Sequence, residues 1–140
     1  MAQPSIGGIQ PQVPDRRKFE QLFEAFGNAW EAGKPAGMAA VFTENAVFIP
    51  YAFDPPLHGR DAIAHYWRDI PEEQAVIAFR MGEIFTVGTW FAGEFTCSFR
   101  RVKTGEWMQI SGAVFCETAG DGEKISEMRM YWDRSAVEAP

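Results

Sequence analysis

The sequence has little of what several protein classes require. Its 140 residues contain two cysteines, Cys97 and Cys116, which form neither a CxxC motif nor a disulfide framework. We therefore expect reduced thiols and a cytoplasmic protein. No stretch approaches the roughly 18 apolar residues of a membrane span. The first residues also lack the charged start and apolar segment of a signal peptide. The sequence therefore predicts no membrane partner.

Positive charge is also scarce. Thirteen Lys and Arg face 19 Asp and Glu, so the formal net charge is −6. Because a nucleic-acid-binding surface needs a basic face, no nucleic-acid partner is expected. The two histidines, His58 and His65, do not supply the three or four clustered ligands of a zinc site. No phosphate-binding loop or dinucleotide fingerprint is present, and we predict neither metal nor cofactor.

Aromatic residues, in contrast, are abundant, with 12 Phe and five Trp. This number is typical of a core with spare aromatic surface, or of a lined cavity. The length favours one domain, which we place at residues 15–140 after a disordered tail at residues 1–14.

Three helices are predicted in the first half of the chain. Asp15 is a suitable N-cap for the first helix, and Gly33 is a stop signal. Its apolar residues recur at helical spacing, namely Phe19, Leu22, Phe23, Phe26 and Trp30. A short second helix is expected over residues 34–46, with Asn45 near its end. A third is expected over residues 59–70.

Strands dominate the rest of the chain. One strand is predicted between the second and third helices, at residues 46–51, and four follow the third helix. Those four are joined by short turns at residues 88–89, 103–105 and 119–123. The fold class is therefore α+β, a curved antiparallel sheet with helices packed on one face. The helices and sheet would enclose a cone, and its open end is the expected pocket.

Two segments in this order resemble the SnoaL-like proteins of the nuclear transport factor 2-like superfamily. They are FTENAVFIPY…PPLHGRDAIAHYW, residues 42–67, and GEKISEMRMYWD, residues 122–133. The resemblance covers roughly residues 19–133. It implies the cone-shaped α+β barrel that ketosteroid isomerases and limonene-epoxide hydrolases share. Because this superfamily holds isomerases, cyclases, hydrolases and binding domains, the resemblance does not fix a function.

The polar residues of those two relatives are not matched. The resemblance places Pro50 where ketosteroid isomerases carry their general-base Asp. It places apolar residues at all five polar positions of limonene-epoxide hydrolases: Phe48, Pro50, Phe95, Cys97 and Met130. A shift of one residue would bring Ile49 or Tyr51 to the first of these positions. Neither relative's usual mechanism is therefore expected.

The remaining candidate site is an apolar pocket. Its predicted substrate-binding residues are Trp30, Phe48, Trp67, Phe95, Cys97, Trp107, Gln109, Ser111 and Met130. Such a pocket suits a small apolar or aromatic molecule with one or two polar groups, but the same residues would also make an ordinary core. Gln109 and Ser111 would need partners if they face inward. A register shifted by one residue would instead place both in solvent.

Asp54 and His58 are the only acid–base candidates near the expected mouth. Either could support a proton-transfer, lyase or cyclase step, with Gln109 assisting. The alternatives are a turn stabilised by Asp54 and a helix start held by His58. A non-catalytic, dimeric binding or interaction module is the second functional hypothesis. The resemblance favours a homodimer through the outer face of the sheet. Arg129 and Asp133 share that face and would form ion pairs across the interface.

Overall fold

A computed structural model describes residues 14–140. The predicted disordered tail lies outside the described residues, apart from Pro14, which is buried. The helices are α1 (Arg16–Ala32), α2 (Pro35–Ala39), α3 (Arg60–Trp67) and α4 (Ile70–Glu73). The strands are β1 (Phe42–Ile49), β2 (Leu57–His58), β3 (Gln74–Val87), β4 (Trp90–Arg101), β5 (Trp107–Ala119) and β6 (Lys124–Ala136).

Helix α1 begins and ends where its sequence predicts. The Asp15 carboxylate accepts a hydrogen bond from the Lys18 backbone N–H at 3.0 Å, which satisfies one free donor of the first turn. Gly33 ends the helix in the left-handed conformation at φ 64°. One face of the helix is buried, including Phe23 and Trp30. This face covers the inner side of the sheet.

The predicted second helix is too long. Helix α2 ends at Ala39, and β1 already begins at Phe42, so Asn45 lies within a strand. Phe42, Ala46 and Phe48 are all fully buried, a spacing that fits the alternation of a strand. Pairing of β1 with the last strand of the sheet therefore overrides the weak helical signal of residues 40–46.

The six strands form one sheet in the order β2-β1-β6-β5-β4-β3. Strands β1 and β6 run parallel, and every other pair is antiparallel. The sheet is curved and unclosed, with β2 and β3 at its edges. The predicted α+β cone is confirmed. No helix within residues 14–140 is long and apolar enough to cross a membrane.

Candidate functional site

Most of the cone is filled by side chains. Phe79 on β3 stacks on Phe95 of β4, with ring centroids 5.6 Å apart, and meets Phe23 of α1 edge-on at 5.5 Å. Phe48, Phe95 and Cys97 are at most 2% exposed. These three predicted pocket residues lie in the hydrophobic core, and none lines the cavity described next. In this structure the three side chains therefore pack as core residues.

A cavity of about 190 Å³ remains at the open end of the cone. We call it the tryptophan cavity. Its apolar walls are Trp30, Trp67, Ile70, Phe99, Ile110, Met130 and Trp132, and its polar residues are Tyr66, Glu73, Gln74 and Arg134. Three of the predicted substrate-binding residues, Trp30, Trp67 and Met130, therefore line one cavity.

Two tryptophans of this cavity differ in their hydrogen bonding. Their rings meet nearly edge-on, with centroids 5.2 Å apart. The Trp30 indole N–H donates to the Gln74 side-chain oxygen at 3.0 Å. The Trp67 indole N–H is buried and has no partner among residues 14–140. Because an unpaired buried donor costs free energy, the Trp67 N–H is a point of the cavity wall that an acceptor would stabilise, although the atom itself is covered by its neighbours.

The loop at residues 50–56 lies beside the tryptophan cavity. The Trp132 indole N–H donates to the backbone oxygen of Pro50 at 2.6 Å. Burial raises the pKa of the Tyr66 hydroxyl, and the negative charge of Asp54 raises it further. Asp54 is exposed and does not line the cavity itself. Its connection to the cavity is the effect of its charge on Tyr66.

His58 is separated from this arrangement. It lies on β2, opposite Val47 of β1, and its side chain is exposed. It is not among the residues that line the tryptophan cavity. Neither Asp54 nor His58 therefore lines the tryptophan cavity, and of the two only Asp54 has an electrostatic effect on a lining residue, Tyr66.

The predicted inward face of β5 is wrong by one residue. Phe95, Cys97 and Phe99 of β4 face inward and lie opposite Gly112, Ile110 and Met108 of β5. Directly paired residues share one face of a sheet. Trp107, Gln109 and Ser111 therefore point to the outer face and cannot contact a molecule in the cavity. The alternating apolar residues Met108, Ile110 and Val114 are the signal for the correct register.

Arg129 and Asp133 of β6 lie on the outer face of the sheet, as predicted. The Arg129 guanidinium pairs with Glu127 of the same strand, with Nε and Oε2 2.7 Å apart. The Asp133 carboxylate accepts a hydrogen bond from the Arg134 backbone N–H at 2.8 Å. Within the described chain, both side chains thus interact with near neighbours. Ion pairing across a dimer interface stays a prediction.

Neither thiol has an activated environment. Burial and the charge of Glu31 raise the pKa of Cys97 to about 12, and burial raises that of Cys116. A thiolate nucleophile needs the opposite shift. Among residues 14–140, no three His, Cys, Asp or Glu side chains cluster as metal ligands would.

The SnoaL-like domain family matches residues 23–128, which is most of the chain. A comparison with curated proteins finds no significant match.

Solved structures with the same fold are numerous. One is a Catenulispora acidiphila protein with a ketosteroid isomerase-like fold, solved with trimethylamine (15% identity, TM-score 0.71, covering 79% of this chain and 84% of that one). Another is the epoxide hydrolase/cyclase-like enzyme SalBIII of salinomycin pyran-ring formation (18% identity, TM-score 0.76, 88% and 98%). A third is a Bacillus subtilis protein proposed to be an isomerase (23% identity, TM-score 0.72, 84% and 87%). At these identities the likeness shows the fold alone.

Proposed function

The chain belongs to the SnoaL-like domain family, and on that premise we propose that it binds a small, mostly apolar molecule in the tryptophan cavity. The observation that carries the proposal is the tryptophan cavity itself, about 190 Å³ of space with mostly apolar walls, next to a buried Trp67 N–H that lacks a partner within residues 14–140. Binding sites are typically apolar with a few placed polar groups. Apolar walls with one unused donor fit that description.

The dimensions of the cavity limit its occupant. At about 190 Å³, the cavity is smaller than the roughly 300–1,000 Å³ of drug-sized ligand sites. A small ring system or a short chain would fill it. A small rotation of the Trp67 ring would uncover its N–H, which would then donate to a carbonyl, hydroxyl or ether oxygen of that molecule. The proposed ligand class is therefore a compact apolar molecule carrying at least one acceptor.

The indole resonances of the protein provide a direct test. We expect 2-naphthylacetamide, a neutral probe with an amide acceptor, to shift the Trp67 Nε1–H signal in ¹H–¹⁵N spectra. Trp67→Phe keeps an aromatic ring but removes the donor, so the affinity should fall roughly 2- to 10-fold. Trp107→Phe is the matched control, because Trp107 lies on the outer face, and it should bind as the wild type does.

A second variant tests the location of binding. Ile110→Trp fills the tryptophan cavity and should abolish probe binding, provided that circular dichroism shows a folded protein. If the probe leaves the Trp67 signal unmoved and binds Ile110→Trp as tightly as the wild type, the proposed function is wrong.

Proton transfer on the bound molecule is the second candidate. Glu73 and Tyr66 line the cavity, and the charge of Asp54 raises the pKa of Tyr66. A positioned carboxylate can serve as a general base. A screen of ketosteroids, epoxides and polyketide-like phenols should then show turnover that Glu73→Gln or Asp54→Asn abolishes. If no turnover occurs, or if it survives in both variants, binding alone remains.

A further inference from the structure

Basic side chains are concentrated beside the tryptophan cavity. A second cavity of about 340 Å³ adjoins it and shares Glu73, Gln74, Phe99 and Arg134 with it. The remaining lining residues are Arg101, Lys103 and Thr104. We call this second cavity the cationic groove. Three cations and one carboxylate therefore surround a space that opens directly onto apolar walls.

Two of these cations are available to a ligand. Among the described residues, neither Lys103 nor Arg134 has an ion-pair partner. Arg101 lies 3.7 Å from the Glu106 carboxylate, so part of its charge is offset. The carboxylate of Glu73 opposes an anion, but the same lining contains three cations. The local balance is positive in a chain whose net charge is −6.

The register of β6 places Arg134 between the two cavities. Arg134 lies opposite Ile110, which faces inward, so its side chain is on the inner face of the sheet. The residue is exposed, so a ligand can reach it from solvent. An anionic group at this position would have its apolar body among Trp30, Trp67 and Trp132.

The turn that carries Lys103 is fixed by hydrogen bonds. The Gly105 N–H donates to the Arg101 oxygen at 2.8 Å, and the Glu106 N–H donates to the Thr104 hydroxyl at 3.2 Å. The Val102 N–H donates to the backbone oxygen of Glu73 at 3.0 Å, which ties the turn to the start of β3. The cationic side of the groove is therefore built on an ordered backbone.

From this arrangement we infer that the ligand is an amphipathic organic anion. Its apolar part occupies the tryptophan cavity, and its carboxylate or phosphate lies in the cationic groove against Arg134 and Lys103. Arginine recognises either group through paired N–H donors. This inference rests on the proposed function, because it assigns the charge of the molecule that the tryptophan cavity binds.

Matched probes separate the two proposals in one calorimetric titration series. 2-Naphthylacetamide is neutral and reports the apolar cavity alone. 2-Naphthylacetate and 2-naphthyl phosphate add a carboxylate and a phosphate to nearly the same ring system. We expect at least one anion to bind roughly 3- to 10-fold more tightly than the amide in 20 mM salt. The advantage should shrink in 0.5 M salt, because ions screen exposed charges.

Charge-removing variants identify the groove. Arg134→Gln and Lys103→Gln should each reduce the anion's advantage over the amide about 2- to 5-fold. Lys103 lines only the cationic groove, so Lys103→Gln should also leave amide binding unchanged. Arg17→Gln is the control, because it removes the same charge from an exposed position on α1 outside both cavities. It should leave all three affinities unchanged.

The outcomes distinguish failure of the anionic ligand from failure of the proposed function. If the amide binds as tightly as both anions, the anionic ligand is excluded and the proposed function stands. If none of the probes binds, both proposals fail. If the phosphate binds best, the ligand is a phosphate ester, and if the carboxylate does, it is an organic acid. An advantage that Arg17→Gln reduces as much as Arg134→Gln reflects net charge and overturns the groove.

Discussion

The two buried thiols should make the fold less stable as the pH becomes alkaline. Cys97 on β4 and Cys116 on β5 are buried, and the pKa of Cys97 is raised from 9.0 to about 12. Between these two values the folded chain keeps a proton that the unfolded chain has lost. Stability falls with pH wherever the folded state binds more protons. The free energy of unfolding should therefore decrease steadily above pH 9.

Urea titrations at several pH values measure this decrease. The slope should reach about 1.4 kcal/mol per pH unit for each thiol. Cys97→Ala should remove the contribution of one thiol, about half of the thiol-dependent slope above pH 9, because Cys116 remains. The control is Ser98→Ala on the same strand, which should retain the slope of the wild type. An unchanged slope in Cys97→Ala would show that the thiol does not titrate as the burial requires.

At the residue scale, the sequence predicts which side chains are buried better than it predicts their hydrogen-bond partners. The helical spacing of Trp30 and the apolar face of α3 correctly predict that Trp30 and Trp67 lie inside the cone. Only Trp30 meets Gln74, which is 44 residues away in the chain. Since that contact depends on how β3 enters the sheet, no local pattern distinguishes the two indoles. Only the structure therefore shows that the Trp67 N–H has no partner within residues 14–140.

The contact between β5 and β6 depends on Gly112. A Cβ atom at this position would lie 2.1 Å from the Tyr131 oxygen and 2.7 Å from the Trp132 Cα. Both are backbone atoms of the paired strand, so neither can rotate away. Gly112→Ala should lower the free energy of unfolding by about 1–3 kcal/mol, the usual cost of overpacking. Urea unfolding measures the loss.

The same substitution in α2 is the control. At the exposed Gly37, an added Cβ would meet only the Lys34 Cβ, at 3.8 Å. Gly37→Ala should stabilise the protein by up to about 1 kcal/mol, because Ala favours a helix over Gly. Equal unfolding midpoints for the two variants would contradict the close approach of β5 and β6.

At the element scale, long periodic segments were predictable and short ones were not. Helix α1 and strands β3 to β6 carry enough residues for their period to be recognised. The two-residue β2 and one-turn α4 do not. The inward face of β5 was missed for a different reason. Its apolar residues alternate with Trp107, Gln109 and Ser111, and a count begun at Trp107 inverts every side chain.

At the scale of the whole molecule, the two faces of the sheet have different roles. The inner face forms the core and ends at the tryptophan cavity. The outer face carries exposed aromatic side chains, including Phe115 (45% exposed) and Tyr131 (48%), whose rings meet edge-on at 5.8 Å. Contiguous exposed apolar groups are typical of interaction surfaces. A second copy of the chain would cover this patch by two-fold symmetry.

We therefore predict a homodimer through the outer face of the sheet. Light scattering at micromolar concentration should give twice the 15.7 kDa mass of one chain.

Phe115→Glu and Tyr131→Glu each place a charge in the apolar patch and should yield monomers, because a buried, unpaired charge strongly opposes association. Phe53→Glu is the control, since Phe53 is 87% exposed in the loop at residues 50–56 and lies off the sheet. A wild-type particle of 15.7 kDa at 100 μM would exclude the dimer. A dimer that survives both patch variants would place the interface on another surface.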